Sequence, residues 1–352
     1  MKNNRNKLTA PEKVDASKYA LVDLHLHLDG SLTADDMLQM ARMEGVQIPT
    51  DREVLRHMLI CPEVCQSLNE YLECFKLPLS VMQTRDTIIY SMESLVRRLD
   101  HDGLIYAEIR YAPQQHIEKG LTQDEVVAAS IEGLHRGLSE CQHGFTANII
   151  LSCLRGGSED TNMETVRMVK KYLGQGVVAM DLAGAEARFP TELYRDLFAY
   201  ARELDVPITL HAGEAAGVES IHLAMDYGAR RIDHGIRSYN DAPTRERIKE
   251  LDICLAFTPT SNLQTKAVPG IAHIEDYPIR VFLDDHVPCC INTDNITVSN
   301  TTLKHEFQKL FDAGLLTPTD AEAIVTSAIR HTFITPEEQE KLMEKAKERM
   351  KQ

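Results

Sequence analysis

Short apolar or β-branched runs alternate along this chain with stretches whose apolar positions recur at helical spacing. Eight runs read as strands: Ala20–Leu28, Leu104–Tyr111, Phe145–Leu154, Val177–Leu182, Pro207–His211, Arg230–Asp233, Ile253–Thr258 and Val287–Thr293. Helix starts are marked by hydroxyl caps with an acidic residue three positions on: Thr33 with Asp36, Thr122 with Glu125, and Thr335 with Glu338 after Pro336. Strands that alternate with helices pair in parallel through right-handed crossovers, and eight strands close a ring. The pattern predicts an α/β chain folded as a (β/α)8 TIM barrel, with an open doubly wound sheet as the alternative.

The spacing is uneven in one place. Between Leu28 and Leu104 the chain has far more residues than one crossover helix needs. Extra helices are expected in this first βα connection, among them Cys61 to Leu79 with its apolar Leu68, Tyr71, Leu72, Phe75 and Leu77. In a barrel that connection lies at the C-terminal mouth of the strands, so residues 46–103 read as a helical insertion that is either a lid or a packed subdomain. No internal repeat and no linker rich in Gly, Ser or Pro interrupts the chain. A single domain over 1–352 is expected, with 1–18 as a polar N-terminal extension.

Of the 352 residues 43% are apolar and 26% charged, which excludes collagen-like and disordered classes. Lys plus Arg number 38 against 53 Asp plus Glu, a formal charge of −15 that disfavours nucleic acid and anionic membranes as partners. No run of apolar residues is long enough to span a bilayer. Met1 to Ala10 lack the apolar stretch of a secretory signal, so a cytoplasmic location is expected. Several of the eight cysteines sit in apolar runs, as buried free thiols do in a reducing compartment. Cys61 and Cys65 have no second Cys/His pair at zinc-finger spacing.

Candidate chemistry lies where polar groups break the apolar strands. His25 and His27 are two apart and share one face of the first strand, a ready pair of metal ligands if that face is the barrel interior. The H-x-H spacing is weak evidence alone, but imidazoles and carboxylates in an apolar strand are costly unless paired or metal-bound. His211 ends strand five, followed by Gly213, which permits a tight turn, and Glu214. Strand six ends Asp233-His234-Gly235 and strand eight Asn292-Thr293-Asp294-Asn295. Read singly, each fits a satisfied structural residue better than a ligand. Four strands delivering such groups to one rim point to a site.

These segments, His25-Leu-His27-Leu-Asp29-Gly30, Met180-Asp181-Leu182-Ala183-Gly184, His211-Ala-Gly-Glu214, Asp233-His234-Gly235 and Asn292-Thr-Asp294, resemble in order and content the adenosine deaminases of the amidohydrolase superfamily. The resemblance implies a (β/α)8 barrel with one catalytic Zn²⁺ per chain, held by His25, His27, His211 and Asp294. It implies Glu214 as proton donor, His234 as the residue that orients and helps deprotonate the attacking water, and Asp294 as a second catalytic group. It also implies that His27 and Asp29 approach the ribose 5′-hydroxyl and that the N–H of Gly184 approaches purine N3. The expected reaction is hydrolysis of adenosine and 2′-deoxyadenosine to inosine and 2′-deoxyinosine with loss of ammonia, in purine salvage. Such chemistry suits the residue types: bound zinc lowers the pKa of water toward neutrality, and a carboxylic acid kept neutral can protonate the ring.

Two departures from the family pattern stand out. Asn295 occupies a position where an Asp is frequent, and its amide can donate to purine N7 without a raised pKa. Thr258-Pro259-Thr260-Ser261-Asn262 stands where Cys-Pro is frequent, and leaves Ser261 open between support of Asp294 and a structural turn. No Lys or Arg adjoins these motifs to hold a phosphate, which favours a nucleoside. The alternative substrates are adenine and 5′-modified adenosines. A binuclear amidohydrolase would need a strand-four Lys, and Val177-Val178-Ala179-Met180-Asp181 has none. An inactive nucleoside-binding barrel would not need the full set of acid, base and ligand groups. Oligomeric state is not legible here.

Overall fold

The computed structural model describes residues 14–351, so positions 1–13 of the expected N-terminal extension lie outside the described residues. The strands are β1 Leu21–His27, β2 Leu104–Tyr111, β3 Thr146–Leu154, β4 Val177–Ala183, β5 Thr209–Ala212, β6 Arg231–His234, β7 Cys254–Phe257 and β8 Cys289–Ile291. Each coincides with an expected run to within two residues at either end.

All pairings are parallel and form two four-stranded sheets, β1-β2-β3-β4 and β5-β6-β7-β8. Two seams join them. At the first, the Met180 N–H donates to the Pro207 carbonyl at 2.9 Å. At the second, His27 N–H donates to the Asp294 carbonyl at 2.7 Å and Asp294 N–H to the His25 carbonyl at 2.8 Å. Because β8 is only three residues long, the Asn292 side chain takes over there and accepts from Leu24 N–H at 2.8 Å. Salt bridges cross the interior: Arg110 on β2 reaches Asp233 on β6 at 2.6 Å, and Arg231 on β6 reaches Glu108 on β2 at 2.7 Å. Strands four places apart can touch only when the sheet has curled into a ring. The fold is the expected (β/α)8 barrel.

The first connection carries α1 Ala34–Glu44, α2 Arg52–Leu59, α3 Leu68–Leu72, α4 Lys76–Ser80 and α5 Arg85–His101. The last of these packs on β2 as the crossover helix proper, burying Ile88, Met92, Leu95 and Leu99. The stretch from Cys61 is helical only from Leu68, because Ser67 accepts the Glu70 N–H and starts the helix there. The later connections carry α6 Gln123–Glu140, α7 Glu159–Tyr172, α8 Arg195–Glu203, α9 Val218–Asp226, α10 Ala242–Glu250, α11 Pro259–Gln264 and α12 Ile279–Asp284. Beyond β8 follow α13 Leu303–Asp312, α14 Pro318–Arg330 and α15 Pro336–Lys351. Thr33 and Thr122 form capping boxes with Asp36 and Glu125, and Thr335 bonds Glu338 in the same reciprocal way.

The apolar core lies between sheet and helices. Alternation sends Leu24 and Leu26, Ile105 and Ile109, Ile149 and Leu151, and Met180 and Leu182 outward to one continuous cluster. The opposite face of the same strands carries Asp23, His25, Glu108, Arg110 and Asp181 into the barrel, all of them buried. The cysteines are free thiols, seven of the eight buried. No described helix is long and apolar enough to cross a membrane. Replacing Thr122 by Ala removes the cap of α6, and we expect the unfolding free energy in urea to fall by about 1 kcal/mol. Catalytic turnover, measured on the same sample, should not change.

Candidate active site

His25 and His27 project from β1, His211 from β5, and Asp294 from the turn after β8. One ligand atom from each lies within 4.8 Å of every other. The Nε2 atoms of His25 and His27 are 3.3 and 3.4 Å from Asp294 Oδ1, and those of His27 and His211 are 3.3 Å apart. The far sides of two rings fix their tautomers. His25 Nδ1 is 3.0 Å from Asp233 Oδ1, and His211 Nδ1 is 2.9 Å from Asp181 Oδ1. An ionised carboxylate only accepts, so His211 carries its proton on Nδ1 and presents a lone pair at Nε2, and the negative charge of Asp233 beside His25 Nδ1 favours the same arrangement in that ring. Burial pushes the His27 pKa well below its ordinary value and leaves that ring neutral. Asp294 is held as a carboxylate by two donors, the Ser261 hydroxyl on Oδ2 and the Asn295 amide on Oδ1. Lone pairs and a negative oxygen facing one another repel unless a cation sits among them. The donor set fits a metal ion.

A buried charge network supports this group. Arg110 makes a two-pronged bond to Asp233, at 2.6 and 3.0 Å, and stands 3.4 Å from Asp181. Ser152 donates to Asp181 at 2.9 Å and Thr209 to Asp233 at 2.6 Å. Burial opposes its charge, yet the Arg110 guanidinium and then His25 hold Asp233 well below the ordinary carboxylate pKa. Asp23, pushed up to about 6 by burial, accepts from the Thr293 hydroxyl at 2.6 Å and ties the start of β1 to the end of β8.

Above the group opens a cavity of about 370 Å³, a size that suits a small organic ligand. His27, Asp29, Gly184, His211, Glu214, His234, Asp294 and Asn295 all line it, and His25 lies beneath. Every residue singled out from the sequence is therefore brought to one place. Burial, and then the negative charge of Asp294, raise Glu214 to about 8, so its carboxyl is protonated at neutral pH. Its Oε2 is 3.6 Å from His234 Nε2. The Asn262 amide donates to His234 Nδ1 at 2.9 Å and is itself held by the Tyr277 hydroxyl at 2.8 Å. His234 therefore carries its proton on Nε2, facing Glu214. His234 and Asp294 both have left-handed backbones, with φ of 65° and 61°, where non-glycine residues are uncommon.

Asn295 donates through Nδ2 to Asp294 Oδ1 at 2.7 Å, and Ser261 donates to Asp294 Oδ2 at 2.5 Å. The Ser261 question is decided in favour of support for Asp294. Gly30 lies against Asn295, where a Cβ would stand 1.7 Å from the amide oxygen. The first connection supplies the outer wall, with Leu68, Tyr71, Leu72 and Phe75 on the cavity and Tyr71 bonded to Ser299 at 2.7 Å. Sequence reasoning assigned nothing to Arg110, Asp181, Asp233, Arg155 or Lys76. Charged residues inside otherwise apolar strands, as in Leu104-Ile-Tyr-Ala-Glu108-Ile-Arg110-Tyr111, were the available signal for the first three. Lys76 and Arg155, which adjoin none of the motifs in sequence, also line the cavity. Lys76 is paired with Glu73, and Arg155 is spent on the Phe189 carbonyl, Thr191 and the His211 carbonyl.

The adenosine deaminase family profile matches residues 20–349. The chain belongs to the adenosine deaminase family. It is 41% identical to the adenosine deaminase of Haemophilus ducreyi over 96% of this chain and 98% of that one. With the adenosine deaminase of Enterococcus faecalis it shares 35% identity over 92% and 95% of the two chains. Solved structures show the same fold at lower identity. An adenine deaminase from Arthrobacter aurescens superposes with a TM-score of 0.85 at 24% identity, over 95% of this chain and 100% of its own. An amidohydrolase from Burkholderia ambifaria, solved with bound Zn, does so with a TM-score of 0.85 at 18% identity, over 99% and 95%.

In this adenosine deaminase family member Arg110 is the counter-charge on which two buried carboxylates depend. Replacing it by Met strands both, and we expect the unfolding free energy to fall by about 3–5 kcal/mol in chemical denaturation. A midpoint equal to that of the parent would show that the pair is dispensable.

Proposed function

We propose that this chain hydrolyses adenosine and 2′-deoxyadenosine to inosine and 2′-deoxyinosine with release of ammonia, as a step of purine salvage. Its metal in this reading is one zinc ion held by His25, His27, His211 and Asp294. The carrying observation is that the Glu214 carboxyl, His234 and a ligand-type group face one cavity, 3.6 Å separating Glu214 from His234. The adenosine deaminases from Haemophilus and Enterococcus, similar along nearly their whole length, support the substrate. Imidazole and carboxylate donors suit zinc, which a structural neighbour of the same fold binds.

Bound there, zinc would supply the Lewis acidity that makes a water nucleophilic near neutral pH. Attack at C6 places negative charge on the purine unless N1 gains a proton. Glu214, raised to about 8, holds that proton at neutral pH and delivers it to N1. The Nε2–H of His234 donates to the incoming oxygen and steadies its charge. Asp294, which accepts bonds from Ser261 and Asn295, takes one proton of the attacking water. As the tetrahedral carbon collapses, the C6–N bond breaks and the C6 oxygen becomes a carbonyl. Of the two water protons one leaves with the ammonia and the other restores Glu214.

The substrate is held by the remaining wall. The backbone N–H of Gly184 reaches purine N3; its φ of 108° suits glycine and lets the chain pass close to the ligand. The Asn295 amide has a second N–H to offer purine N7. Asp29 and His27 meet the ribose 5′-hydroxyl, Asp29 being raised to about 6 by burial and so able to exchange a proton there. The engagement of the buried Arg155 by the Phe189 and His211 carbonyls and Thr191 favours a nucleoside over a nucleotide.

Glu214→Gln keeps the shape and removes the proton donor. We expect kcat for adenosine to fall by about 10²–10⁴-fold with zinc content unchanged, read by ammonia release. Turnover within threefold of the parent would refute the role of Glu214. Removing metal with a chelator should abolish turnover, and added Zn²⁺ should restore it; a metal-free sample with full activity would sink the zinc reading.

A further inference from the structure

Glu186 stands two residues beyond Gly184, in the loop leaving β4, and is 1% exposed. It does not line the cavity. Its carboxylate nevertheless accepts five hydrogen bonds from the segment that carries Glu214. Oε1 accepts from Gly213 N–H at 2.8 Å and from the Ser220 hydroxyl at 2.6 Å. Oε2 accepts from the backbone N–H groups of Glu214, Ala215 and Ala216 at 3.0, 2.7 and 2.9 Å. Four successive amides thus turn toward one anion, an arrangement that the φ of 74° at Gly213 permits.

The segment lies between β5 and α9 and has no regular ladder of its own. Its amides would otherwise face a buried region unpaired, and charge-assisted bonds are the strong way to fix them. The anchoring also reaches the preceding strand. Ser220 bonds the Thr191 hydroxyl at 2.7 Å, Thr191 accepts from Arg155 at 2.9 Å, and the same Arg155 nitrogen donates to the His211 carbonyl at 2.7 Å. Both ends of the turn from His211 to Ala216 are therefore tied to one buried chain of side chains.

We propose that Glu186 is the positioning residue for Glu214, fixing the backbone of 213–216 and with it the distance and angle at which the Glu214 carboxyl meets the purine. The inference rests on the proton-donor role proposed for Glu214. Misplacing a reacting group by about 1 Å costs on the order of 10²-fold in rate. Loss of the anion should therefore act on kcat rather than on substrate affinity. A residue that only stabilises the fold would lower the denaturation midpoint or the metal content, and would leave kcat per metal-loaded site unchanged.

A double-mutant cycle in the full-length, zinc-loaded enzyme separates these cases. Kinetics with adenosine, zinc content and denaturation midpoint are read for Glu186→Gln, Glu214→Gln and the pair. We expect Glu186→Gln alone to lower kcat by about 10- to 100-fold with KM within about threefold and zinc content unchanged. In the Glu214→Gln background the same substitution should change kcat by less than about threefold, because the group it positions is already disabled. Equal losses in both backgrounds, or an unchanged kcat per zinc-loaded site, overturn the inference and leave the role of Glu214 standing. A Glu214→Gln enzyme with parental turnover fails the role of Glu214 and this inference with it. Should Glu186→Gln not fold, Glu186→Asp keeps the charge at a shorter reach and is read in the same cycle, with a smaller loss of kcat expected and the same coupling to Glu214.

Discussion

Two buried carboxylates, Asp233 and Asp181, each stand against the Nδ1 of a histidine, at 3.0 and 2.9 Å, and the chemistry above them depends on that placement. Their negative oxygens draw the ring proton of His25 and of His211 to Nδ1. They thereby decide that lone pairs, not N–H groups, meet at the mouth of the barrel. The carboxylates can remain ionised in a closed interior because Arg110 lies between them, bonded to Asp233 and to the Leu24 carbonyl and 3.4 Å from Asp181. A buried ion pair of this kind is weak evidence for stability, since burial of each charge costs several kcal/mol. Here its consequence is orientation.

The same division of labour recurs around the cavity. Several groups that face the cavity are held from behind by one that does not: His234 by Asn262 and Tyr277, Asp294 by Ser261, and the Glu214 loop by Glu186. His234, Asp294 and Glu214 stand at strand ends or in the turns just beyond them, and Ser261 and Asn262 reach them from α11. The outer wall differs in kind. It is built from short helices α3 and α4 of the first connection, tied to the floor where Tyr71 bonds Ser299 and Cys61 N–H bonds the Val298 carbonyl.

Much of this was legible in the linear pattern. Strand positions followed from apolar runs, and the three threonine caps from their acidic partners, because both are local matters of backbone geometry. His25, His27, His211, Glu214, His234 and Asp294 stood out because polar side chains at strand ends are costly without partners. Less was legible where side chains replace backbone. The three-residue β8 is shorter than its apolar run because Asn292 and Asp294 make the bonds to β1 that a longer ladder would have made. The helical reading of Cys61 onward failed short of Leu68, since Ser67 offers its own cap to the chain.

The sequence by itself determined the order of elements, the barrel and the rim on which the polar groups stand, since periodicity and capping act over a few residues. Tertiary structure alone decided which groups face one another. Arg110 and Asp233 are 123 positions apart, and no local rule couples them; only closure of the ring brings β2 against β6. The tautomers of His25, His211 and His234, the proton on Glu214 and the five bonds to Glu186 likewise arise from partners brought in by folding. Burial and neighbouring charge set protonation, and both are properties of the assembled interior rather than of the chain.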